Sequence, residues 1–386
     1  MRRVNRVVAV MAALAVAGGC QLVGQGSGNP SAAPTVGLEE ARKQAAAVVA
    51  GMTLEQKAAQ LIMAPLRPGD DPAVLASRQV GAVVLLGDGW DSAAKVKAAT
   101  APLREAAEEW PARLWIAADQ EGGQIQRLRG TGFETIPDGI GQGKMKPREL
   151  REAAQTWGGE LLDVGVNLDL APVVDLVDPA DRQANAPVGS LRRDYGLDAA
   201  GTAEHAKAFI EGMRAAGVGT AVKHFPGLGR VTGNTDLTTQ GVEDAVTDRE
   251  AESVQAFADV FEAGPTMVMV SVATYSKMDP TGPGALSPTV IMGLLREQLG
   301  WRGVVVSDSL SAAAAAVNVS GPLSVEDRIL TFLGAGGDIA CFGVADEAWA
   351  ALDGLIAKAQ SDPTVVEMID QAAMRVIAAK AQAGLV

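Results

Sequence analysis

The chain has 386 residues, 48% of them hydrophobic, and a formal net charge of −13 at pH 7. The apolar fraction supports a packed core, while the negative field argues against nucleic acid or an anionic lipid surface as partners. Two cysteines in the whole chain leave no room for a disulfide framework.

The first segment reads as an export leader. Arg2, Arg3 and Arg6 form a positive n-region, and Val7 to Val16 is an apolar stretch too short to span a bilayer as a mature helix. Ala17-Gly18-Gly19-Cys20 closes it like a lipobox, with Ala17 where Leu is more usual. The expectation is a signal peptide over residues 1–19 and a diacylated Cys20 held by its acyl chains at the outer face of the cell membrane. Plain signal cleavage nearby is the alternative. Residues 20–37, rich in Gly, Ser, Pro and Ala, read as a flexible tether. Cys341 lies in the apolar run Ile339 to Phe342 and is not a partner for Cys20.

From 38 to 386 the composition is uniform and globular, within the length of one (β/α)8 barrel. Short apolar, β-rich runs occur at Gln60–Pro65, Val80–Leu86, Leu114–Ala118, Asn167–Val174, Val218–Val222, Thr266–Val272, Gly303–Ser307 and Asp338–Phe342. Continuous apolar runs of this length are how buried parallel strands read. Helical apolar spacing follows several of them, at Ala199–Ala216 and Ser287–Leu299, and again at Glu347–Ala359 and Thr364–Ala383. Alternation of this kind predicts a single closed α/β barrel of the TIM type. The first run lacks the Gly-rich phosphate loop of a doubly wound sheet.

Polar residues stand directly after the runs, where barrel enzymes place their chemistry: Asp119, Asp175, Lys223-His224 and Asp308. Asp119-Gln120-Glu121-Gly122-Gly123, with Arg127 beyond it, reads equally as a sugar-binding carboxylate held by Arg127 or as a structural turn with a salt-bridged Asp. Lys223 and His224 are adjacent in a strand and point to different sides. A buried strand-end lysine also suits Schiff-base chemistry, which makes an aldolase-like lyase the rival enzyme class. His205, in a helix among Ala and Glu, reads as a surface residue. Asp308 ends a fully apolar strand, a costly place for a carboxylate unless it is paired or used, and it reads as a nucleophile. Asp236, in a Gly- and Thr-rich loop, reads by itself as a turn residue.

Taken together, Asp119-Gln120-Glu121-Gly122-Gly123, Leu170-Ala171-Pro172-Val173-Val174-Asp175, Lys223-His224-Phe225-Pro226-Gly227 and Ser307-Asp308-Ser309-Leu310 resemble the motifs of glycoside hydrolase family 3, in its single-domain β-N-acetylglucosaminidase branch. The resemblance runs from about Met52 to the C-terminal helix. It implies that Asp308 is the nucleophile, that Asp119, Arg127, Arg193, Lys223 and His224 hold the sugar, and that Asp175 supports them. Arg193 stands thirty residues before Lys223, which suits the family pattern, with Arg192 as the alternative. The family's loop continues His-Gly after Pro-Gly and ends Asp-Ser-His, an acid/base dyad. Here Leu228 replaces the first His, and Asn234-Thr235-Asp236 replaces the Asp-Ser-His.

Two readings follow from that departure. Either Asp236 is the general acid/base, oriented by Asn234, or the protein binds a glycan with little or no turnover. A two-carboxylate glycosidase is mechanistically sound, because an ionised Asp308 nearby would keep Asp236 protonated. The expected activity is retaining hydrolysis of terminal β-linked sugars, N-acetylglucosamine first, from peptidoglycan fragments or another β-linked saccharide. No metal or organic cofactor is expected, and the membrane is met through the lipid anchor only, by a monomer.

Overall fold

The computed structural model describes residues 36–386; the leader, Cys20 and most of the tether lie outside the described residues. Eight parallel strands form the central sheet: β1 Ile62–Leu66, β2 Ala82–Leu85, β3 Trp115–Ala118, β4 Leu168–Asp169, β5 Gly219–Phe225, β6 Met267–Val270, β7 Val304–Ser307 and β8 Ala340–Cys341. Each falls within or across one of the apolar runs read from the sequence. They pair in the order β7-β6-β5-β4-β3-β2-β1-β8, and a parallel bridge between Val306 and Ile339 brings β7 against β8. Asp338 and Ile339 both donate their backbone N–H to Val305 O. The expected (β/α)8 barrel is therefore present.

The strands are buried on both faces because helices wrap the sheet. Ala93–Ala107, Pro147–Asp163, Ala199–Ala216, Glu252–Val260, Val325–Gly334 and Ala345–Ser361 each follow a strand, and Thr289–Gln298 is a more widely wound helical turn after β6. Starts are set locally: Ser92, Asp198 and Ser324 accept hydrogen bonds from the first turns of their helices. Pro363–Gln382 closes the chain and packs against the opening helix Leu38–Gly51.

At the end of the barrel opposite the site, buried polar groups are tied off. Asp338 accepts from Arg296 Nη2 (2.7 Å), Arg375 Nε (2.6 Å) and Val305 N (2.7 Å). Lys380 is fully buried, donates to Gln60 Oε1 (2.6 Å) and Gly81 O (2.8 Å), and lies over the Trp115 ring.

His205 corrects the surface reading. It is 7% exposed, with Nδ1 2.8 Å from Gly201 O and Nε2 3.0 Å from Met145 O, and its ring lies beside Tyr195.

Candidate active site

The site lies at the C-terminal ends of the strands and is built around an ionic cluster. After β3 the chain turns back at Gly122 (φ +102) and Gly123 (φ +56); a Cβ on Gly122 would meet Pro137 O at 2.2 Å. The turn presents Asp119 and Glu121 to Lys223, whose Nζ lies 2.6 Å from a carboxylate oxygen of each. The structural reading of this motif, a glycine turn with a salt-bridged Asp, is the one the geometry displays, and the same turn sets both carboxylates at the strand ends. The partner of Asp119 is Lys223 and not Arg127, because Arg127 reaches instead toward Gly87 O (3.4 Å) and Asp88 (3.8 Å), and its Nε has no partner among the described residues.

Arg193 grips Glu121 bidentately, with both N···O distances 2.8 Å. Burial acts to raise the Glu121 carboxyl, but the Arg193 and Lys223 charges overcome it and hold it down at about 2. Burial likewise acts to lower Lys223, and Asp119 and Glu121 reverse that, so its pKa stands above the ordinary lysine value. A permanently charged, 1%-exposed ammonium is a poor Schiff-base nucleophile, which removes the lyase reading.

Arg193 Nη2 also lies 3.2 Å from His224 Nε2, and His224 Nδ1 lies 2.7 Å from Asp175 Oδ2. Since Arg193 donates, Nε2 accepts and Nδ1 carries the proton shared with Asp175. Asp175 is itself fixed by the N–H groups of His224 (3.2 Å) and Leu228 (2.8 Å). Lys223 and His224 thus converge on one network and do not diverge as the strand alternation predicts. The pairing of β5 with β6 shifts register between Val222 and Phe225, and the alternation is lost there. Of the two adjacent arginines, Arg193 enters the site; Arg192, at φ +58, turns outward to Asp138.

Asp308 follows β7, donates its N–H to Val270 O (2.8 Å) and accepts at Oδ1 from Ser309 N (2.8 Å); among the described residues Oδ2 has no hydrogen-bond partner. The long loop after β5 brings Asp236 within reach of the Asp308 charge. The loop tip is docked by Ala313 N to Asp236 O (3.2 Å) and Ala314 N to Thr235 O (3.1 Å), both from the segment that follows Asp308. Asn234 Oδ1 accepts from Asp236 N (2.9 Å), so it orders the backbone and does not orient the carboxyl. Withdrawal from water and then the charge of Asp308 push the Asp236 carboxyl up to about 6. Asp236 is exposed at the cleft mouth, so its withdrawal is incomplete and the Asp308 charge is the firmer cause.

Two buried carboxyls beside the site escaped the sequence reading. Glu121 stood inside the quoted motif, two residues from Asp119, the spacing that puts both on one side of an extended chain. Asp169 ends β4 fully buried; it accepts from Gln120 N (3.0 Å), and burial pushes it up to about 8. Among the described residues no group of His, Cys, Asp and Glu is spaced to hold a metal ion.

Residues 53–379 match the glycosyl hydrolase family 3 N-terminal domain. The chain is 30% identical to the β-hexosaminidase LpqI of Mycobacterium tuberculosis over 98% of this chain and 97% of that protein. A β-hexosaminidase of Xylella fastidiosa is 35% identical over 61% of this chain and 69% of its own length. Among solved structures, a β-N-acetylhexosaminidase from Beutenbergia cavernae superposes with a TM-score of 0.79 at 43% identity, covering 86% of this chain and 99% of that one. The chain belongs to glycosyl hydrolase family 3, a family of O-glycosyl hydrolases.

Proposed function

We propose that this protein is an exported, membrane-anchored β-N-acetylhexosaminidase that removes terminal β-linked N-acetylglucosamine, or a related β-sugar, with retention of configuration. The observation that carries the reading is the meeting of two unlike carboxyls, Asp308 on a strand end and Asp236 on a loop with its pKa raised to about 6, beside the Asp119–Lys223–Glu121–Arg193–His224 network. Environments that push two carboxyls apart assign their roles.

In the first step Asp308 attacks the anomeric carbon while protonated Asp236 gives its proton to the glycosidic oxygen. The C–O bond breaks, the aglycone leaves as an alcohol, and the sugar is held as an ester of Asp308. In the second step water attacks the same carbon, ionised Asp236 takes its proton, and Asp308 is released. Unused valences serve the sugar: the third N–H of Lys223, Asp119 Oδ2, and the loosely held guanidinium of Arg127.

Export and lipidation at Cys20 rest on the leader motif, and peptidoglycan fragments outside the membrane are the fitting substrate class. The deciding test is turnover of a fluorogenic β-N-acetylglucosaminide from about pH 4 to about pH 8 by wild type, Asp236→Asn and Asp308→Asn. The proposal expects turnover that Asp308→Asn abolishes, and that Asp236→Asn lowers while removing the fall in rate above about pH 6. Binding of the sugar with no turnover above the Asp308→Asn background, on this and on β-glucosides and β-xylosides, would establish a non-catalytic glycan-binding protein instead. That second reading has Leu228 and Asp236 in its favour, since both stand where the family motif carries histidine.

A further inference from the structure

Asn185 hydrogen-bonds to backbone groups and, among the described residues, to no side chain of the ionic network, yet every hydrogen-bonding valence of its amide is used. It is 2% exposed. Nδ2 donates to Leu228 O and Val231 O, each at 2.7 Å. Oδ1 accepts from Val188 N (3.2 Å) and Gly189 N (2.6 Å). Two carbonyls on one side and two N–H groups on the other fix the amide's orientation without ambiguity.

The four backbone groups belong to the two loops that matter. Val188 and Gly189 lead into Arg193, whose N–H donates to Val188 O (3.1 Å) and whose Nη1 donates to Pro187 O (2.7 Å). Leu228 to Val231 is the root of the loop whose tip is Asp236. That root is packed as well as bonded: a Cβ on Gly229 would meet Leu176 O at 1.7 Å, and Leu228 and Val231 sit in an apolar cluster with Val173, Val177, Val188 and Tyr275. With the tip pinned on Ala313 and Ala314, the loop is held at both ends, and Asn185 is the root fastening that also reaches the arginine loop.

We propose that Asn185 is a positioning residue that sets the acid/base loop of Asp236 against the sugar-holding loop of Arg193. The inference rests on the proposed roles of Asp236 and Asp308 for its kinetic consequence, but the fastening itself is open to direct measurement. Misplacing a reacting group by about 1 Å costs about 10²-fold in rate, and a displaced acid is felt only where the leaving group needs a proton.

The test compares wild type, Asn185→Ala and Asn185→Asp in two ways. Amide hydrogen exchange over residues 228–241, without substrate, reads the fastening. The kcat ratio between an alkyl β-N-acetylglucosaminide and its dinitrophenyl counterpart, whose leaving group departs unaided, reads the position of the acid. Asn185→Ala should exchange faster in this loop, lose about 10²-fold on the alkyl glycoside and less than about 10-fold on the dinitrophenyl one. Asn185→Asp keeps the shape and the two acceptor contacts but sets a carboxylate against two carbonyls; protonation returns one donor, so its alkyl-glycoside rate should partly recover as pH falls. Unchanged exchange in both variants overturns the inference whatever the activity. So do faster exchange with equal losses on the two substrates, and an Asn185→Asp rate with the pH profile of Asn185→Ala. Faster exchange in a protein whose wild type hydrolyses neither glycoside would keep the fastening and remove the proposed function alone.

Discussion

The two ends of the barrel both bury charge, and they do opposite things with it. At the closed end Asp338 takes three donors, and Lys380 faces two carbonyl oxygens and an aromatic ring. At the open end the charges are paired only in part: among the described residues Arg127 Nε and Asp308 Oδ2 have no hydrogen-bond partner, and Asp236 sits against a like charge. Charge satisfied on every side, as at Asp338, holds a fold together. Charge left with open valences is what a polar ligand and a developing transition state can use.

Perturbing either end tests that contrast, and the largest effect belongs to the open end. Asp308→Asn should lower kcat by at least about 10⁴-fold while leaving the melting temperature unchanged or slightly higher, because it relieves the repulsion with Asp236; a clear fall in melting temperature would make Asp308 a structural residue. Asp236→Asn comes next, at about 10²- to 10⁴-fold on unactivated substrates. Its acid must be protonated, so wild-type kcat should decline as pH rises through about 6, and this limb should vanish in the variant.

Glu121→Gln lies between the two ends, since it removes a charge that both Arg193 and Lys223 use. It should raise KM and reduce stability by about 3 kcal/mol. The Glu121 pKa is depressed to about 2, so its stabilisation is present above the unfolded value near 4.5 and is lost as pH falls toward 2; denaturant titrations at neutral and acid pH should show the gap between wild type and variant closing.

At the closed end Asp338→Asn should reduce stability by a comparable amount, about 3 kcal/mol, with kcat unchanged, and a kinetic defect in the stably folded variant would erase the contrast. Lys380→Met is the smallest effect. Burial holds the Lys380 pKa well below 10.5, so over that window the unfolded chain binds the extra proton and wild-type stability should rise with pH toward about 10. The variant should flatten that slope.

The strands were legible because a strand buried on both faces leaves a continuous apolar run, and the polar residue that ends such a run marks the chemical face of the barrel. That Asp119, Lys223 and His224 share one site followed from the resemblance alone. Asn185 was not legible, because its partners Leu228 and Val231 lie 43 and 46 residues away and backbone carbonyls leave no trace in composition. His205 was misread for a different reason. Its neighbours are Ala and Glu, but the buried stripe of its helix runs through Thr202, His205, Phe209 and Met213, so the helical period outweighs the local polarity. The direction of Lys223 and His224 was misjudged because a register shift cannot be seen in a single strand's sequence.

The proposed nucleophile, Asp308, stands on a strand end whose neighbours fix its backbone, while the proposed acid/base, Asp236, stands on a loop tip docked through its main chain, and that division bears on how such a protein changes over generations. Ala313 and Ala314 hold the carbonyls of residues 235 and 236 and take no notice of the side chain there. Residue 236 can therefore be exchanged by single mutations without unsettling the barrel, so that the proposed proton donor is open to replacement while the carboxylate at the strand end stays where it is.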